Sequence, residues 1–239
     1  LNEDALPLLD NTHKQVYANG RKHCDGSDYD EVTYNNESGE VTQDEHNYVD
    51  GVCDYCGKLH TEDGYVIISG PASWNAWVEK LRAGAMNTSA KLTCDLAVTE
   101  KLPDGFCGTF DGQGHTIMYA EGFKPTADFA LFQAAGEGAS FRNFEVKGTL
   151  NMLHKFAGVA LEVNGPTTIE NVKVSANVTS SGFPLSGFVV SNTSQLDVTG
   201  CEFSGSLKCT QGASLDIAGF ISVMNGASAY KFRNCASTG

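Results

Sequence analysis

From about residue 64 onward the chain is written in short bursts of alternating apolar and polar residues. Four of them match one another: Phe141-Arg-Asn-Phe-Glu-Val, Ile169-Glu-Asn-Val-Lys-Val, Val198-Thr-Gly-Cys-Glu-Phe and Phe232-Arg-Asn-Cys-Ala-Ser. Their third residues, Asn143, Asn171, Gly200 and Asn234, are 28, 29 and 34 positions apart. A second column follows about half a repeat later, with Gly158, Gly187 and Gly219 spaced by 29 and 32. Such periods also occur in helical arrays. Here the bursts are short, rich in Val, Ile and Phe, and broken by Gly, Asn and Ser, and none keeps a 3.6-residue period. The pattern therefore predicts an all-β chain: a right-handed parallel β-helix over residues 63–239, with three short strands per coil and about five coils stacked ~4.8 Å apart.

Stacking gives each column a direction. Phe144, Val172, Cys201 and Cys235 share one inward position, and Val146, Val174 and Phe203 share the next. Between them Glu145, Lys173 and Glu202 point outward with alternating sign, which sets opposite charges side by side on adjacent coils. The Asn column falls at a bend, where Asn tolerates positive φ and stacked amides can bond to one another. Cys201 and Cys235, as neighbours in one column, are either buried thiols acting as small hydrophobes or a bridge within reach of disulfide geometry.

One helix is predicted before the first coil, over about residues 72–82, started by Pro71-Ala-Ser73 with Ser73 as its N-cap. Trp74, Trp77, Val78 and Leu81 form its apolar face. A solenoid exposes apolar core and unpaired strand edges at its ends, so this helix serves as the N-terminal cap. The competing use of Trp74 and Trp77 is stacking on a sugar. After Phe232 no amphipathic cap follows, from which we expect a fragment of a longer chain or an open end that meets another chain.

The stretch Gly108-Thr-Phe-Asp-Gly-Gln-Gly-His-Thr-Ile117, followed by Ala130-Leu-Phe132 and the Asn-column coils, resembles secreted bacterial β-helix surface proteins with Gly-Leu-x-Gly ("GLUG"-type) repeats. The resemblance spans about residues 63–239. Gly187-Phe-Val-Val and Gly219-Phe-Ile-Ser depart from the Gly-Leu-Val-Gly form. The resemblance implies a secreted or cell-surface location, a Trp-containing helix ahead of the solenoid, and His-x6-Cys-x2-Cys-Gly knuckles upstream of it.

Composition divides the chain in two. Residues 1–64 hold 15 Asp and Glu against 4 Lys and Arg, whereas residues 65–239 hold 14 against 12. An acidic chain without a basic patch repels phosphate backbones, which argues against a nucleic-acid partner. No run approaches 18 apolar residues, so no membrane-spanning helix is expected. No signal peptide is visible, and residues 1–11 read as a trimmed mature terminus or an artificial boundary.

The leader, residues 1–62, has too few aliphatic residues to bury a core of its own. A metal is the candidate for ordering it. His46-Asn-Tyr-Val-Asp-Gly-Val-Cys53-Asp-Tyr-Cys56-Gly-Lys-Leu-His60 holds a Cys-x2-Cys knuckle flanked by histidines, with Cys24 and His13 upstream as alternative fourth ligands. Two thiolates at that spacing reach one tetrahedral Zn²⁺. The ligand set expected is His46, Cys53, Cys56 and His60, with Cys24 able to replace His60, and the zinc is structural. A Cys53–Cys56 redox pair, a disulfide from Cys24 to either, and free thiols are the competing readings.

Catalysis has little to stand on in the sequence. The carboxylates of the solenoid are scattered and no column stacks two Asp, whereas hydrolases of this architecture group theirs on adjacent coils. Arg142 lies over Glu170 as a surface pair, and His115 sits in Gly-His-Thr within a structural turn. No nucleophile elbow or phosphate loop is present. The expected function is a binding or adhesion module that presents a β-helix face to a glycan or a surface protein. A carbohydrate-active lyase or hydrolase with an incomplete site, and a structural spacer, are the alternatives.

Overall fold

The structure is a computed structural model, and it describes residues 5–6, 16–19, 21–27, 33–35, 42–211, 216–225 and 229–238. The chain divides into two compact units, Leu1–Lys58 and Leu59–Gly239. The second unit is a parallel β-solenoid carrying one helix, α1 (Pro71–Arg82). It begins earlier than residue 63 because Thr61–Glu62 pairs antiparallel with Tyr65–Ile68, and Leu59 packs against the solenoid core.

One long sheet collects successive parallel rungs: Tyr65–Ile68, Ala90–Leu92, Thr109–Asp111, Ala139–Lys147, Thr167–Val174, Leu196–Thr199 and Tyr230–Arg233. A second sheet stacks Phe132–Ala135, Ala160–Val163, Val189–Asn192 and Ile221–Met224. A third stacks Thr149–Met152, Asn177–Ser180 and Ser206–Cys209. Two-residue strands, Phe156–Ala157, Leu185–Ser186 and Ile217–Ala218, join the third sheet to the second. The four rungs of the second sheet define about four complete coils among the described residues, fewer than the five the repeats suggested. The first coil meets the second sheet only through isolated bridges, Leu102 to Phe132 and Phe106 to Ala135.

The columns fall in register as the alternation required. Phe144 pairs with Val172, and Val146 with Val174, all four buried. Glu145 sits beside Lys173, and Lys173 beside Glu202, where the ammonium lies 3.6 Å from the carboxylate. Cys201 is buried and Cys235 half-buried, both as free thiols, and burial pushes Cys201 up to about 11.

The bend residues Asn143, Asn171 and Asn234 have φ of 57°, 52° and 52°, in the left-handed region that Asn tolerates. Their amides form a ladder: Asn171 Nδ2 donates to Asn143 Oδ1 at 3.3 Å, and Asn143 Nδ2 donates to Asp111 Oδ1 at 3.1 Å. The glycine column has a different cause. A Cβ on Gly158 would lie 2.2 Å from the carbonyl oxygen of Gly187, and one on Gly187 would lie 2.0 Å from that of Gly219. Successive coils touch backbone to backbone at this corner, so a side chain has no room.

Aromatic rings cluster densely in the interior near the cap, and Phe156, Phe188 and Phe203 continue them among aliphatic side chains in later coils. Phe132 and Phe141 have ring centroids 4.4 Å apart, Phe106 lies 5.0 Å from Phe132, and Trp77 stacks on Phe110 at 5.6 Å. Helix α1 covers this end through Trp74, Trp77, Val78 and Leu81, as expected. Trp74 and Trp77 are 3% and 0% exposed, which leaves no ring face for a sugar. The start of the helix differs from expectation. Pro71 occupies the first turn, where its missing N–H costs nothing, and Gly70 precedes it. Ser73 lies inside the helix, where its hydroxyl donates to Gly70 O and accepts from Ser69 N–H, both at 3.0 Å.

Asp111 is the buried carboxylate of the solenoid, 3% exposed. It accepts from Arg142 Nε at 2.8 Å, from Asn143, and from the backbone N–H of Gln113 at 3.0 Å. Burial works against its charge, but these donors outweigh it and hold the carboxyl below the usual range. Arg142 therefore does not make the expected surface pair. It is in register with Glu170, but its guanidinium turns to Asp111 and reaches Tyr65 Oη at 3.4 Å.

Candidate metal centre

The first unit brings three cysteines and a histidine to one point. Its later part is built from tight turns. Tyr48–Val49 and Val52–Cys53 form a hairpin across Asp50 and Gly51, both at positive φ, as a two-residue turn of this hand requires. The hairpin delivers Cys53, and the chain then doubles back through Tyr55 to Cys56. Gly57, at φ 72°, donates to Cys53 O at 3.0 Å, and Cys53 N–H donates to Lys58 O at 2.9 Å. This is a knuckle: two thiols on one small loop with backbone N–H groups turned toward them.

Cys24 arrives on a separate turn. Gly26 N–H donates to His23 O at 2.8 Å, and Asp25 Oδ1 accepts from Ser27 N–H at 2.9 Å. Gln43 Nε2 donates to Cys24 O at 2.9 Å, and the His23 ring stacks on Tyr55 with centroids 4.2 Å apart. These contacts fasten the Cys24 turn to the knuckle.

The ligand atoms of Cys24, His46, Cys53 and Cys56 all lie within 4.8 Å of one another. Cys24 Sγ is 3.5 Å from Cys53 Sγ, and Cys56 Sγ is 3.5 Å from His46 Nδ1. A disulfide needs sulfurs about 2.05 Å apart. A tetrahedral ion with bonds of about 2.3 Å to sulfur sets its donors about 3.8 Å apart. The spacing fits a shared ion, and the four groups can hold one.

The electrostatics suit a cation as well. The backbone N–H of Cys56, helped by that of Tyr55 and by His46 and Cys24, outweighs burial and pulls Cys53 down to about 6. Burial, together with the neighbouring Cys53 and Cys56, pushes Cys24 up to about 12. One sulfur is thus a ready thiolate and another holds its proton until a positive charge arrives. Lys58 Nζ lies 3.2 Å from His46 Nε2 and can only donate, which keeps the imidazole proton on Nδ1. A metal held through Nδ1 would require that nitrogen to give up its proton.

Of the residues expected from sequence, His46, Cys53, Cys56 and Cys24 come together. His60 is not in the group, and its Nε2 lies 3.2 Å from Glu62 Oε1 in the other unit. It follows the Gly57-Lys58 turn, where the chain leaves the knuckle. His13 falls outside the described residues. Nothing local marked Cys24 over His60, because the bond that selects it runs across 29 residues. No helix among the described residues is long and apolar enough to cross a membrane. No protein-family model, curated protein or solved structure matches this chain.

Proposed function

We propose that this chain is a non-catalytic binding module of a cell-surface or secreted protein, presenting an outer face of its solenoid to a glycan or a protein. One observation carries the reading. The solenoid interior is filled with apolar side chains, so a ligand meets the outside, where polar side chains recur in register one coil apart, as in Thr149, Asn177 and Ser206. The resemblance of residues 108–117 to GLUG-type surface proteins supports the same reading. The test is a glycan array probed in parallel with immobilised surface and matrix proteins. Binding to one class is expected, and blank results on both would overturn the module in favour of a spacer.

A carbohydrate-active enzyme is the second reading, favoured by Lys91, Asp111, Arg142 and Glu170, which stand in one axial column of the long sheet. Asp111 and Arg142 are engaged with each other, which weakens both as acid or base. Uronate polymers incubated at ~mM Ca²⁺, the range of weak extracellular sites, should show no new reducing ends. Reproducible cleavage would reverse the order of the two readings.

We also infer that the ion at the Cys/His group is a structural Zn²⁺, since three thiolates and one imidazole fill a tetrahedron and leave no position for substrate. Plasma mass spectrometry of the purified protein should find about one equivalent of zinc. Less than half of that would sink the assignment.

A further inference from the structure

The loop of residues 120–128, which belongs to no repeat, folds back over the third sheet and makes a hollow of about 550 Å³ with the corners of three successive coils. That volume lies within the usual range for small-ligand sites, about 300–1,000 Å³. From the binding-module reading and the chemistry of this hollow, we propose that it holds a carboxylate-bearing sugar of an acidic polysaccharide, with Lys124 pairing to the carboxylate and Asn151 and Thr179 bonding the ring hydroxyls.

Charge is the first argument. The excess of acid lies mostly in the leader, whereas residues 65–239 hold 14 Asp and Glu against 12 Lys and Arg, and no Asp or Glu lines this hollow. Lys124 is exposed at its edge. The neighbouring hollow of about 720 Å³ is larger and shares Lys124, but it is also lined by Glu100, Asp104 and Asp128, which disfavour an anion. There Arg82 pairs with Glu79 and Glu100, and Asp128 pairs with Lys155 at 3.6 Å.

The second argument is the donor set. Asn151 and Thr179 are in register on adjacent rungs and face outward, about 4.8 Å apart by the rung spacing. Ser181 and Thr210 add hydroxyls at the corners, and Leu153, 72% exposed, offers an apolar patch for the carbon face of a ring. Hydroxyls and an amide beside one cation and one apolar surface match a sugar acid better than a phosphate, which would want more positive charge.

The third argument is preorganisation. The loop is anchored on both sides of Lys124. Phe123 packs edge-on against Phe129 at 5.2 Å, Pro125 is buried, and Asp128 Oδ1 accepts from Lys155 N–H at 3.1 Å. The floor is equally fixed. Ser180 Oγ donates to His154 O at 2.7 Å and accepts from Gly182 N–H at 3.0 Å, while Thr210 N–H donates to Ser180 O at 2.8 Å. Little ordering is left for a ligand to impose.

Affinity gel electrophoresis of the full chain tests this, with polygalacturonate, its carboxyl-reduced neutral counterpart and alginate cast in the gel. Retardation is expected with the two acidic polymers, weakening with added salt, and not with the neutral one. Lys124→Ala and Asn151→Ala should each weaken it roughly ten-fold. Lys231→Ala, which removes a surface pair with Asp197 on the long sheet, should leave it unchanged. The three side chains are exposed, and an unaltered melting temperature would show that the variants fold. Absent retardation, equal retardation by the neutral polymer, or full retardation of Lys124→Ala would each overturn the proposal. If an array then revealed another ligand, the binding-module reading would stand without this site.

Discussion

The two units are held by opposite means. In Leu59–Gly239 one large apolar cluster runs from the cap to the last full coil, with a small second one beside it, and each rung rests on its neighbours. In Leu1–Lys58 the buried apolar side chains among the described residues are Cys24 and Cys53, two members of the metal-holding group. One unit distributes its stability over dozens of side chains; on the proposed zinc reading, the other would concentrate it at a point. The difference between them suggests a test: a segment too polar to bury a core could be ordered around one strong multivalent contact in place of many weak ones.

Removing the point should therefore do the most damage, and do it to one unit only. On the zinc reading, a chelator, or Cys53→Ser, should strip the metal and expose the Cys24 turn and residues 42–58 to protease while the solenoid keeps its circular dichroism. Metal binding at such sites is worth about 10 kcal/mol. Loss of both units together would break the comparison. A distributed core should feel one deletion less. Phe141→Ala empties a fully buried position and should cost about 3–5 kcal/mol, lowering the solenoid melting temperature by roughly 10 °C while zinc content stays fixed.

Smaller effects sharpen the picture within the solenoid. Asp111→Asn leaves Arg142 without its buried partner and should cost about 2–3 kcal/mol at neutral pH. Asp111 titrates below its unfolded range, so its contribution is complete above about pH 4 and fades as pH falls through the depressed folded value. Denaturant melts of the two proteins should accordingly converge in acid, and a gap that persisted or widened there would reject the ionised pair. Smallest is the bend. Asn171→Ala places a side chain at φ 52° without the amide ladder and should cost about 1 kcal/mol, whereas Asn171→Gly should recover most of it. An Ala variant as stable as Asn would mean that the column is not under conformational selection.

The solenoid was legible because it is repetitive. Phe144 over Val172, Lys173 beside Glu202 and the three bend asparagines all follow from a period that can be measured along the chain. What escaped lay outside the repeat or between distant residues. Asp111 lies 31 residues from Arg142, and nothing in the alternation says that Arg142 prefers it to Glu170, the neighbour on the other side. The helix is opened by Pro71 as its sequence suggests, but the cap is Gly70, because Ser73, which has the chemistry of a cap, lies inside the first turn. For the metal group, the Cys53–Cys56 knuckle is local and was readable. The choice of Cys24 over His60 depends on how far the chain travels after Gly57, which spacing alone does not encode. The hollow beneath Lys124 went unnoticed because its loop breaks the pattern that made everything else visible.

The glycine corner has a consequence for how such a chain can change over generations. At Gly158 and Gly187 the backbone of one coil occupies the space where the other would carry a side chain. A deletion of one residue beside it would slide a bulky residue into that contact and flip the inward and outward sets beyond it. Duplicating or excising a complete repeat keeps glycine against glycine. The protein is therefore free to lengthen or shorten in whole coils, while its smaller insertions are confined to excursions such as residues 120–128, where new chemistry can be tried without disturbing the stack.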